Sequence, residues 1–342
     1  KRNSNRGWVM KKILITGGAG YVGSRLTPQL LKLGYNIRIL DTLFYGANRL
    51  PSSDPNLEVL KADIRDVNHH QKFFENVSTV IHLGCISNDA SFELDETLSR
   101  TINFDAFEPL VISAKKAGVK RFIYASSSSV YGVSEKTNVT ESHPLVPLTL
   151  YNKYKGLCEP LLFKHETEDF VCTVVRPATL CGYAPRQRLD LTVNILTNWA
   201  INRRKINVFG GNQLRPNLHI QDMCDLYKQL LIEDGRKISG QTFNVGYQNM
   251  SVMDIALLVR RIVQEETPKE ADIPIEKSNS DDMRSYHINS DKIRKTIGFV
   301  PKYTIEDAVR ELCKAFKENK LPLSFDDDQY FNVRQMKALN VV

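Results

Sequence analysis

Residues Lys12-Ile-Leu-Ile-Thr-Gly-Gly-Ala-Gly-Tyr-Val-Gly23 decide the fold. A short apolar run, typical of a buried strand, leads directly into Gly17, Gly20 and Gly23 in the pattern T-G-x-x-G-x-x-G. A strand that turns tightly into a helix directs free backbone N–H groups and the positive end of the helix dipole to one point, and glycine lets a pyrophosphate approach that backbone closely. The segment therefore predicts a dinucleotide-binding site. The alternative interpretation is a glycine turn before an ordinary core helix.

An acidic residue follows at the distance that such a site requires. After a helix-like segment at 21–34, residues 36–40 are typical of a second strand that ends in Asp41, 41 − 20 = 21 residues beyond Gly20. A carboxylate in this place accepts hydrogen bonds from the adenosine ribose hydroxyls. It would also repel a 2′-phosphate, and no arginine follows at once, so the sequence favours NAD over NADP.

Composition indicates a globular protein without a membrane span. The 342 residues are 42% hydrophobic and 25% charged, and no apolar run approaches the ~18 residues that a membrane helix needs. Of the net charge of +7, five positive charges precede Ile13 without an acid among them, which leaves 7 − 5 = +2 for the rest. We expect this basic head to be a frayed terminus, neither a signal peptide nor a nucleic-acid-binding arm. Its charged residues are Lys1, Arg2, Arg6, Lys11 and Lys12.

The cysteines and histidines give no sign of a metal centre or of a disulfide framework. The six cysteines are scattered without C-x-x-C spacing, and most lie in apolar surroundings, as reduced core cysteines do. The seven histidines also lack the spacing of metal ligands. The sequence therefore predicts a cytoplasmic location and no metal site.

The rhythm of apolar runs predicts an α/β fold. Strand-like runs alternate with helix-length segments, which is typical of βαβ units, so we expect a doubly wound parallel Rossmann sheet with helices on both faces. The capping patterns Ser251-x-x-Asp254 and Thr304-x-x-Asp307 predict the starts of two later helices. The strand-like runs are 57–60, 79–83, 121–125 and 171–175, with a further one at 241–246.

From about residue 183 the chain changes character, because prolines, arginines and asparagines interrupt shorter elements. We expect a smaller, discontinuous α/β lobe there that binds the substrate. The expected organisation is an NAD-binding domain at 11–182 to which 240–266 returns, a lobe at 183–239 and 267–325, and tails at 1–10 and 326–342.

The pair Tyr151 and Lys155 indicates proton-transfer chemistry. At positions i and i+4 of a helix the phenol and the ammonium lie on one face. A nearby positive charge favours tyrosinate, so we expect the phenol pKa, ordinarily about 10, to fall toward the working pH. A tyrosinate can remove a proton from a sugar hydroxyl while hydride leaves the same carbon for NAD. Four consecutive hydroxyls at 126–129 follow the strand at 121–125, where ligands gather in open α/β sheets.

The spacing Tyr-x-x-x-Lys/Arg is common, and Tyr21/Arg25 and Tyr45/Arg49 match it by chance. The alternative interpretation of Tyr151 and Lys155 is therefore a tyrosine and a lysine on a helix surface. Their position shortly after the serine run and the turn-rich segment 144–147 favours the catalytic interpretation.

With these motifs the chain resembles the extended short-chain dehydrogenase/reductases of the nucleotide-sugar epimerase/dehydratase family, over roughly residues 11–320. The resemblance implies Ser127, Tyr151 and Lys155 as catalytic residues. It implies a cofactor site for NAD made of Gly17, Gly20, Tyr21, Val22, Gly23, Asp41, Asp63, Ile64, Leu83, Gly84, Asn103, Tyr151, Lys155 and Pro177. It implies a substrate site made of Ser87, Ser128, Thr179, Arg186, Arg188, Arg215 and Arg284. Several arginines suit an anionic substrate, because they can bind a diphosphate bidentately.

Departures from the family pattern narrow the expected reaction. The family's 4,6-dehydratases carry an Asp-Glu pair at the two positions before Val130, and its decarboxylases carry a glutamate directly before that valine. Ser128 and Ser129 stand there in this chain. What remains is oxidation of a sugar hydroxyl, at C4, as in the 4-epimerases and 4-dehydrogenases. Thr179 replaces the asparagine of UDP-galactose-type epimerases, so the nucleotide and the sugar stay open.

Two other functions remain open at this point. A nucleotide-sugar 4-ketoreductase would use the same catalytic residues, and a noncatalytic NAD-sensing regulator could use the same fold. Such regulators tend to lose the tyrosine and lysine that this chain retains.

The resemblance also implies a homodimer that pairs through helices at about 93–117 and 149–168. Apolar side chains near helical spacing support it, because they exceed what one core-facing stripe obviously needs. The alternative is a well-buried helix. The side chains are Phe104, Phe107, Leu110 and Val111.

Overall fold

The computed structural model describes residues 12–66, 69–134, 138–268, 272–279, 285 and 287–340. The expected tail at 1–10, with Lys1, Arg2 and Arg6, lies outside the described residues, as do Lys11 and Arg284. Within the described ranges, no helix combines the length and the apolar character that crossing a membrane requires.

The strands form one large sheet and two small ones. They are β1 (Lys12–Thr16), β2 (Ile37–Asp41), β3 (Leu57–Lys61), β4 (Val77–His82), β5 (Arg121–Ala125), β6 (Val171–Pro177), β7 (Thr179–Cys181), β8 (Ile206–Phe209), β9 (Leu214–His219), β10 (Gln241–Val245), β11 (Gln248–Ser251) and β12 (Ile275–Ser278). Seven parallel strands make the large sheet in the order β3-β2-β1-β4-β5-β6-β10. The predicted doubly wound parallel sheet is confirmed.

Helices cover both faces of this sheet, and other helices form a smaller lobe beside it. They are α1 (Tyr21–Lys32), α2 (His70–Phe73), α3 (Asp89–Phe92), α4 (Glu96–Arg100), α5 (Phe107–Lys116), α6 (Leu150–Phe163), α7 (Thr192–Asn202), α8 (Ile220–Ile232), α9 (Gly235–Ile238), α10 (Val252–Glu266), α11 (Asp291–Ile297), α12 (Ile305–Lys317) and α13 (Asn332–Ala338). Short 3₁₀ turns lie at Ser128–Tyr131 and Asp328–Tyr330.

Neighbouring residues of β1 enter opposite cores, because side chains alternate along a strand. Ile15 packs in the core that includes Leu26 of α1 and Leu230 of α8, whereas Leu14 packs in the core that includes Phe107 of α5. The sheet is therefore buried on both faces, as parallel sheets with crossover helices are.

The smaller lobe has a core of its own between α7, α10 and α12. Val193, Val259 and Val309 meet there. The division differs from the expected one in two helices. Residues 240–266 were expected to return to the large domain, and β10 does pair with β6, but α10 packs in the lobe. Conversely, α8 packs on α1. An amphipathic pattern identifies a helix but does not say which of two cores its apolar face meets.

Both predicted capping patterns form. The Ser251 hydroxyl accepts the backbone N–H of Asp254 at 3.0 Å. Thr304 and Asp307 make a reciprocal capping box at the start of α12. These side chains satisfy N–H groups that lack a partner inside the helix, which fixes where α10 and α12 begin.

The segment expected as a C-terminal tail packs back onto the molecule. The Tyr330 carbonyl accepts the Leu189 N–H at 2.9 Å, and Gln335 Nε2 donates to the Phe44 carbonyl at 2.9 Å. Met336 is buried in the core beside α5. This segment, defined here as the C-terminal segment 328–338, therefore joins the lobe to the loop after β2.

Candidate active site

A cleft of about 860 Å³ opens at the carboxyl ends of the large sheet. It lies where the strand order reverses between β1 and β4, the usual ligand position in open α/β sheets. Gly17 has φ of +67°, and a Cβ built on it would lie 2.7 Å from the Gly84 Cα. The loops after β1 and β4 therefore touch, and only glycine fits at their contact.

The first turn of α1 forms one wall of the cleft, with Gly20, Tyr21, Val22 and Gly23 among its lining residues. The first N–H groups of a helix lack intrahelical partners, which makes this turn suited to a phosphate. A Cβ on Gly23 would lie 2.3 Å from the Gly18 carbonyl oxygen, so this glycine serves the packing of the turn. The Tyr21 hydroxyl donates to the Gly182 carbonyl at 2.6 Å, so its side chain ties the loop after β7 to α1.

Asp41, at the end of β2, connects the glycine loop to the loop after β2 through its carboxylate. Its Oδ2 accepts the Ala19 N–H at 3.0 Å, and its Oδ1 accepts the Leu43 N–H at 2.8 Å. Burial raises the pKa of this carboxyl, and the two hydrogen bonds oppose the rise. Asp63 and Ile64 line the same end of the cleft.

α6 carries the predicted catalytic pair into the cleft. Thr149 caps its first turn, because the Thr149 hydroxyl accepts the Asn152 N–H at 3.3 Å. Tyr151 and Lys155 both line the cleft. Lys155 is buried, and its ammonium donates to the Ala125 carbonyl at 2.7 Å. Because Ala125 is the last residue of β5, this bond fixes the lysine at the carboxyl end of the sheet.

The pKa of Tyr151 moves against the expected direction in the structure. Burial raises it well above its ordinary value, and the charges of Cys85 and Asp89 act in the same direction. The Arg188 charge and the Asn88 backbone N–H oppose this rise. Formation of tyrosinate therefore needs more positive charge near the phenol than the sequence analysis expected from Lys155 alone.

The serine run divides into two roles. Ser126 Oγ donates to Glu159 Oε1 at 2.6 Å, and Ser129 Oγ donates to Asn152 Oδ1. These two hydroxyls fasten the loop to α6. Ser127 Oγ lies 2.7 Å from Ser129 Oγ and lines the cleft, as does Ser128.

Six of the seven residues predicted for the substrate lie in the walls of this cleft, and Arg284 lies outside the described residues. Two of the arginines lie in different surroundings. Arg188 Nε contacts Asp190 Oδ1 at 2.9 Å near Tyr151, whereas Arg186 lies over the Tyr45 ring. The six are Ser87, Ser128, Thr179, Arg186, Arg188 and Arg215.

Asn103, implied as a cofactor residue, is not among the residues that line the cleft. Its Oδ1 accepts the Ile86 N–H at 2.8 Å, and its Nδ2 donates to the Ile86 carbonyl at 2.9 Å. Because Ile86 does line the cleft, Asn103 holds the wall from behind. All the other residues implied for the cofactor line the cleft, Leu83, Gly84 and Pro177 included.

Sequence reasoning missed several lining residues. Asp190 and Asn332 were not singled out, and Tyr45 was set aside as a chance match. Asn332 Nδ2 donates to Ser87 Oγ at 2.8 Å across 245 residues of chain. No local pattern signals such a contact, because it depends on how the C-terminal segment 328–338 folds back.

Comparisons with known proteins agree with this geometry. The family model described as "NAD dependent epimerase/dehydratase family" matches residues 13–246. The chain is 25% identical to a UDP-glucose 4-epimerase of Lactobacillus helveticus, over 92% of this chain and 99% of the relative. It is 27% identical to a dTDP-D-glucose 4,6-dehydratase of Mus musculus, over 93% and 92%.

Solved structures share the fold. A UDP-glucuronic acid 4-epimerase of Bacillus cereus, in complex with UDP-glucuronic acid and NAD, superposes with a TM-score of 0.78 at 24% identity, over 90% of this chain and 99% of that one. A match of the family model to more than half of the chain is decisive, because it includes the glycine loop, the serine run and α6. The chain belongs to the NAD-dependent epimerase/dehydratase family, whose members are enzymes.

Proposed function

We propose that the protein oxidises a hydroxyl of a nucleotide-linked sugar, at C4, by hydride transfer to NAD, as a 4-epimerase or 4-dehydrogenase. The observation that carries the proposal is that Tyr151, Lys155 and Ser127 lie in the same cleft as the glycine loop that starts at Gly17. One cleft thus offers a dinucleotide site next to a proton-transfer site.

The residues present fit NAD. The first turn of α1 suits its pyrophosphate, and Asp41 suits the adenosine ribose. Gly17, Gly20 and Gly23 line the cleft and carry no side chain that would keep a phosphate from the loop backbone. When bound, NAD supplies a hydride acceptor whose oxidised ring carries a positive charge.

The side chains of the chain would handle the proton. Tyr151 Oη would take the proton of the sugar hydroxyl, and Ser127 Oγ would orient that hydroxyl. Arg188 provides positive charge, which opposes the effect of burial on the phenol, and the Lys155 ammonium lines the same cleft.

The carboxylates of the cleft do not replace the missing acid and base before Val130. Within the described part of the chain, five carboxylates line the cleft, and four of them accept hydrogen bonds, from Leu43, Arg65, Thr149 and Arg188. Glu159 pairs with Arg176 in the protein interior. Elimination of water needs a free acid and a free base. These contacts favour a product of unchanged carbon and oxygen count. The five are Asp41, Asp63, Asp89, Glu93 and Asp190.

The test is to incubate the purified protein with UDP-, GDP-, dTDP- and CDP-sugars and NAD, and to follow NAD reduction and product mass. A 4-epimerase should give an isomer without net NAD reduction, and a 4-dehydrogenase a 4-keto sugar with NADH. Tyr151→Phe should abolish turnover and leave NAD binding within about two-fold, because only the phenolic oxygen is lost. A product lighter by one water or one carbon dioxide would contradict the proposed reaction.

We also propose a cytoplasmic location. The structure places Cys158, Cys172, Cys181, Cys224 and Cys313 as buried free thiols, and Cys85 as a partly buried one. Buried free thiols are typical of a reducing compartment. Fractionation of the source cells with an antibody against the protein would test this location.

A further inference from the structure

Arg186 is a buried arginine whose side chain reaches the glycine-loop end of the cleft. Its backbone N–H donates to Ser24 Oγ of α1 at 3.0 Å, and its guanidinium carbon lies 3.8 Å from the centre of the Tyr45 ring. The residue is 5% exposed and lines the cleft. Its charge is near enough to Asp41 to oppose the rise in the pKa of that carboxyl.

This buried cation retains a free hydrogen-bond donor. Arg186 Nη2 donates to Asn332 Oδ1 at 2.6 Å, but the buried Nε has no hydrogen-bond partner among the described residues. Burial lowers the pKa of the guanidinium to about 10, so it stays charged at neutral pH. A buried charge with an unused donor is costly unless a ligand completes its hydrogen bonds.

Asn332 of the C-terminal segment 328–338 holds this guanidinium in place. Its Nδ2 donates to Ser87 Oγ at 2.8 Å, and its backbone N–H donates to Asp190 Oδ2 at 3.1 Å. The amide oxygen that faces Arg186 is therefore fixed by contacts with two other segments. The C-terminal segment 328–338 thus orients Arg186 beside the N-terminal part of α1.

We propose that Arg186 binds the diphosphate of the dinucleotide, opposite the first turn of α1, and that Asn332 is its positioning residue. This inference rests on the proposed binding of NAD. A guanidinium suits a diphosphate because its donors match two oxygens at once. Arg186 contacts α1 and the loop after β2, which are the walls assigned to the cofactor. We therefore assign Arg186 to the cofactor site and not to the sugar-nucleotide site that the resemblance implied.

The test measures the affinities of adenosine, ADP, 2′,5′-ADP, NAD and UDP by calorimetry, and by competition titration for the ligands that bind too weakly for direct calorimetry. Arg186→Gln should weaken ADP and NAD by about ten- to a hundred-fold, the effect of losing a charged hydrogen bond. Adenosine and UDP should bind as in the wild type. Arg186→Lys should retain part of the affinity for ADP. Arg49→Gln, in the same loop as Tyr45 but outside the cleft lining, is the matched control and should change none of these affinities.

Asn332→Ala should reproduce the pattern of Arg186→Gln more weakly, with several-fold weaker ADP and unchanged adenosine. A merely structural role would instead weaken adenosine and ADP equally, and this result would overturn the inference.

Loss of UDP affinity alone would assign Arg186 to the substrate. Weaker binding of 2′,5′-ADP with unchanged ADP would assign it to a 2′-phosphate. NAD binding that is absent in the wild type would overturn the proposed function and this inference together, whereas unchanged binding in Arg186→Gln would overturn this inference alone.

Discussion

Asp41 has both a structural and a binding role at the end of β2. Its two oxygens accept the Ala19 and Leu43 N–H groups, so the carboxylate shapes the glycine loop while it lines the cleft. Burial raises its pKa above the ordinary value near 3.8, and the hydrogen bonds from Leu43 and Ala19 oppose this rise because they stabilise the ionised form. The carboxyl group thus lies where the adenosine ribose would bind.

This carboxyl group leads to a prediction about cofactor choice. NAD should bind more tightly than NADP, and Asp41→Asn should narrow the gap, because it removes the repulsion of a 2′-phosphate and keeps an acceptor for one loop N–H. We expect NAD affinity to fall about ten-fold or more. Titration of both cofactors measures this, with Asp66→Asn as a control outside the cleft lining. Tighter binding of NADP by the wild type would refute the prediction.

His82 is a second residue whose burial has a measurable consequence. Its Nδ1 lies 2.7 Å from Thr16 Oγ1, and its ring packs near Phe107 and Tyr124. Burial, followed by the charge of Lys155, lowers its pKa to about 3. Between about pH 3 and 6.5 the imidazole is therefore neutral in the folded protein, whereas the unfolded chain, with an ordinary pKa near 6.5, binds a proton.

The unfolded state thus binds more protons below about pH 6.5, and stability should fall as the pH drops. The His82 contribution is about 1.4 kcal/mol for each pH unit below 6.5, or about 2 kcal/mol at pH 5. Urea denaturation between pH 7 and 5 should show a flatter pH dependence for His82→Asn than for the wild type. His69→Asn, at an exposed histidine, should keep the wild-type slope. Equal slopes for all three proteins would disprove the buried neutral state.

At the scale of elements, a buried ion pair connects α6 to β6. Glu159 Oε2 lies 2.5 Å from Arg176 Nη2, and both side chains are buried. Ser126 donates to the same carboxylate, and Arg176 Nη1 also donates to the Tyr131 hydroxyl at 2.6 Å. The pair therefore joins α6, the serine run and the sheet in one network.

Removal of one partner should cost more than removal of both. Glu159→Leu should lower the free energy of unfolding by about 3–5 kcal/mol, because it leaves a buried unpaired guanidinium. Glu159→Leu with Arg176→Met should recover most of this loss. Glu108→Gln, at the exposed pair with Lys164, should cost less than about 1 kcal/mol. Urea denaturation measures all three. A double variant as unstable as Glu159→Leu would show that the pair is worth more than its desolvation cost.

Elements with local signals could be predicted from the sequence. The glycine loop after β1, Asp41 at the end of β2 and the pair Tyr151 and Lys155 on α6 all depend on spacing within one or two elements. The core that α10 joins and the course of the C-terminal segment 328–338 depend on contacts between distant parts of the chain. The same reason explains why the sequence did not connect Arg186 with Asn332, which is 146 residues away.

At the scale of the whole molecule, the homodimer remains a prediction, but the side chains that suggested it in the sequence no longer support it. Phe107, Leu110 and Val111, which suggested surplus apolar surface, are fully buried in the core beside the large sheet. They serve the fold of the protomer. The exposed face of α6 instead presents Leu157, which is 40% exposed, and Pro160.

We expect α6 to pair with a second copy of the chain through this face, because burial of apolar surface is the main favourable term in association. Sedimentation at micromolar concentration should give twice the 39.0 kDa of the chain. Leu157→Glu should shift the population to monomers, since it places a charge where the two copies meet. Leu33→Glu is the matched control, because Leu33 is 60% exposed after α1 and outside α5 and α6. A monomeric wild type, or a dimer that Leu157→Glu leaves intact while the protein stays folded, would show that this face is not the interface.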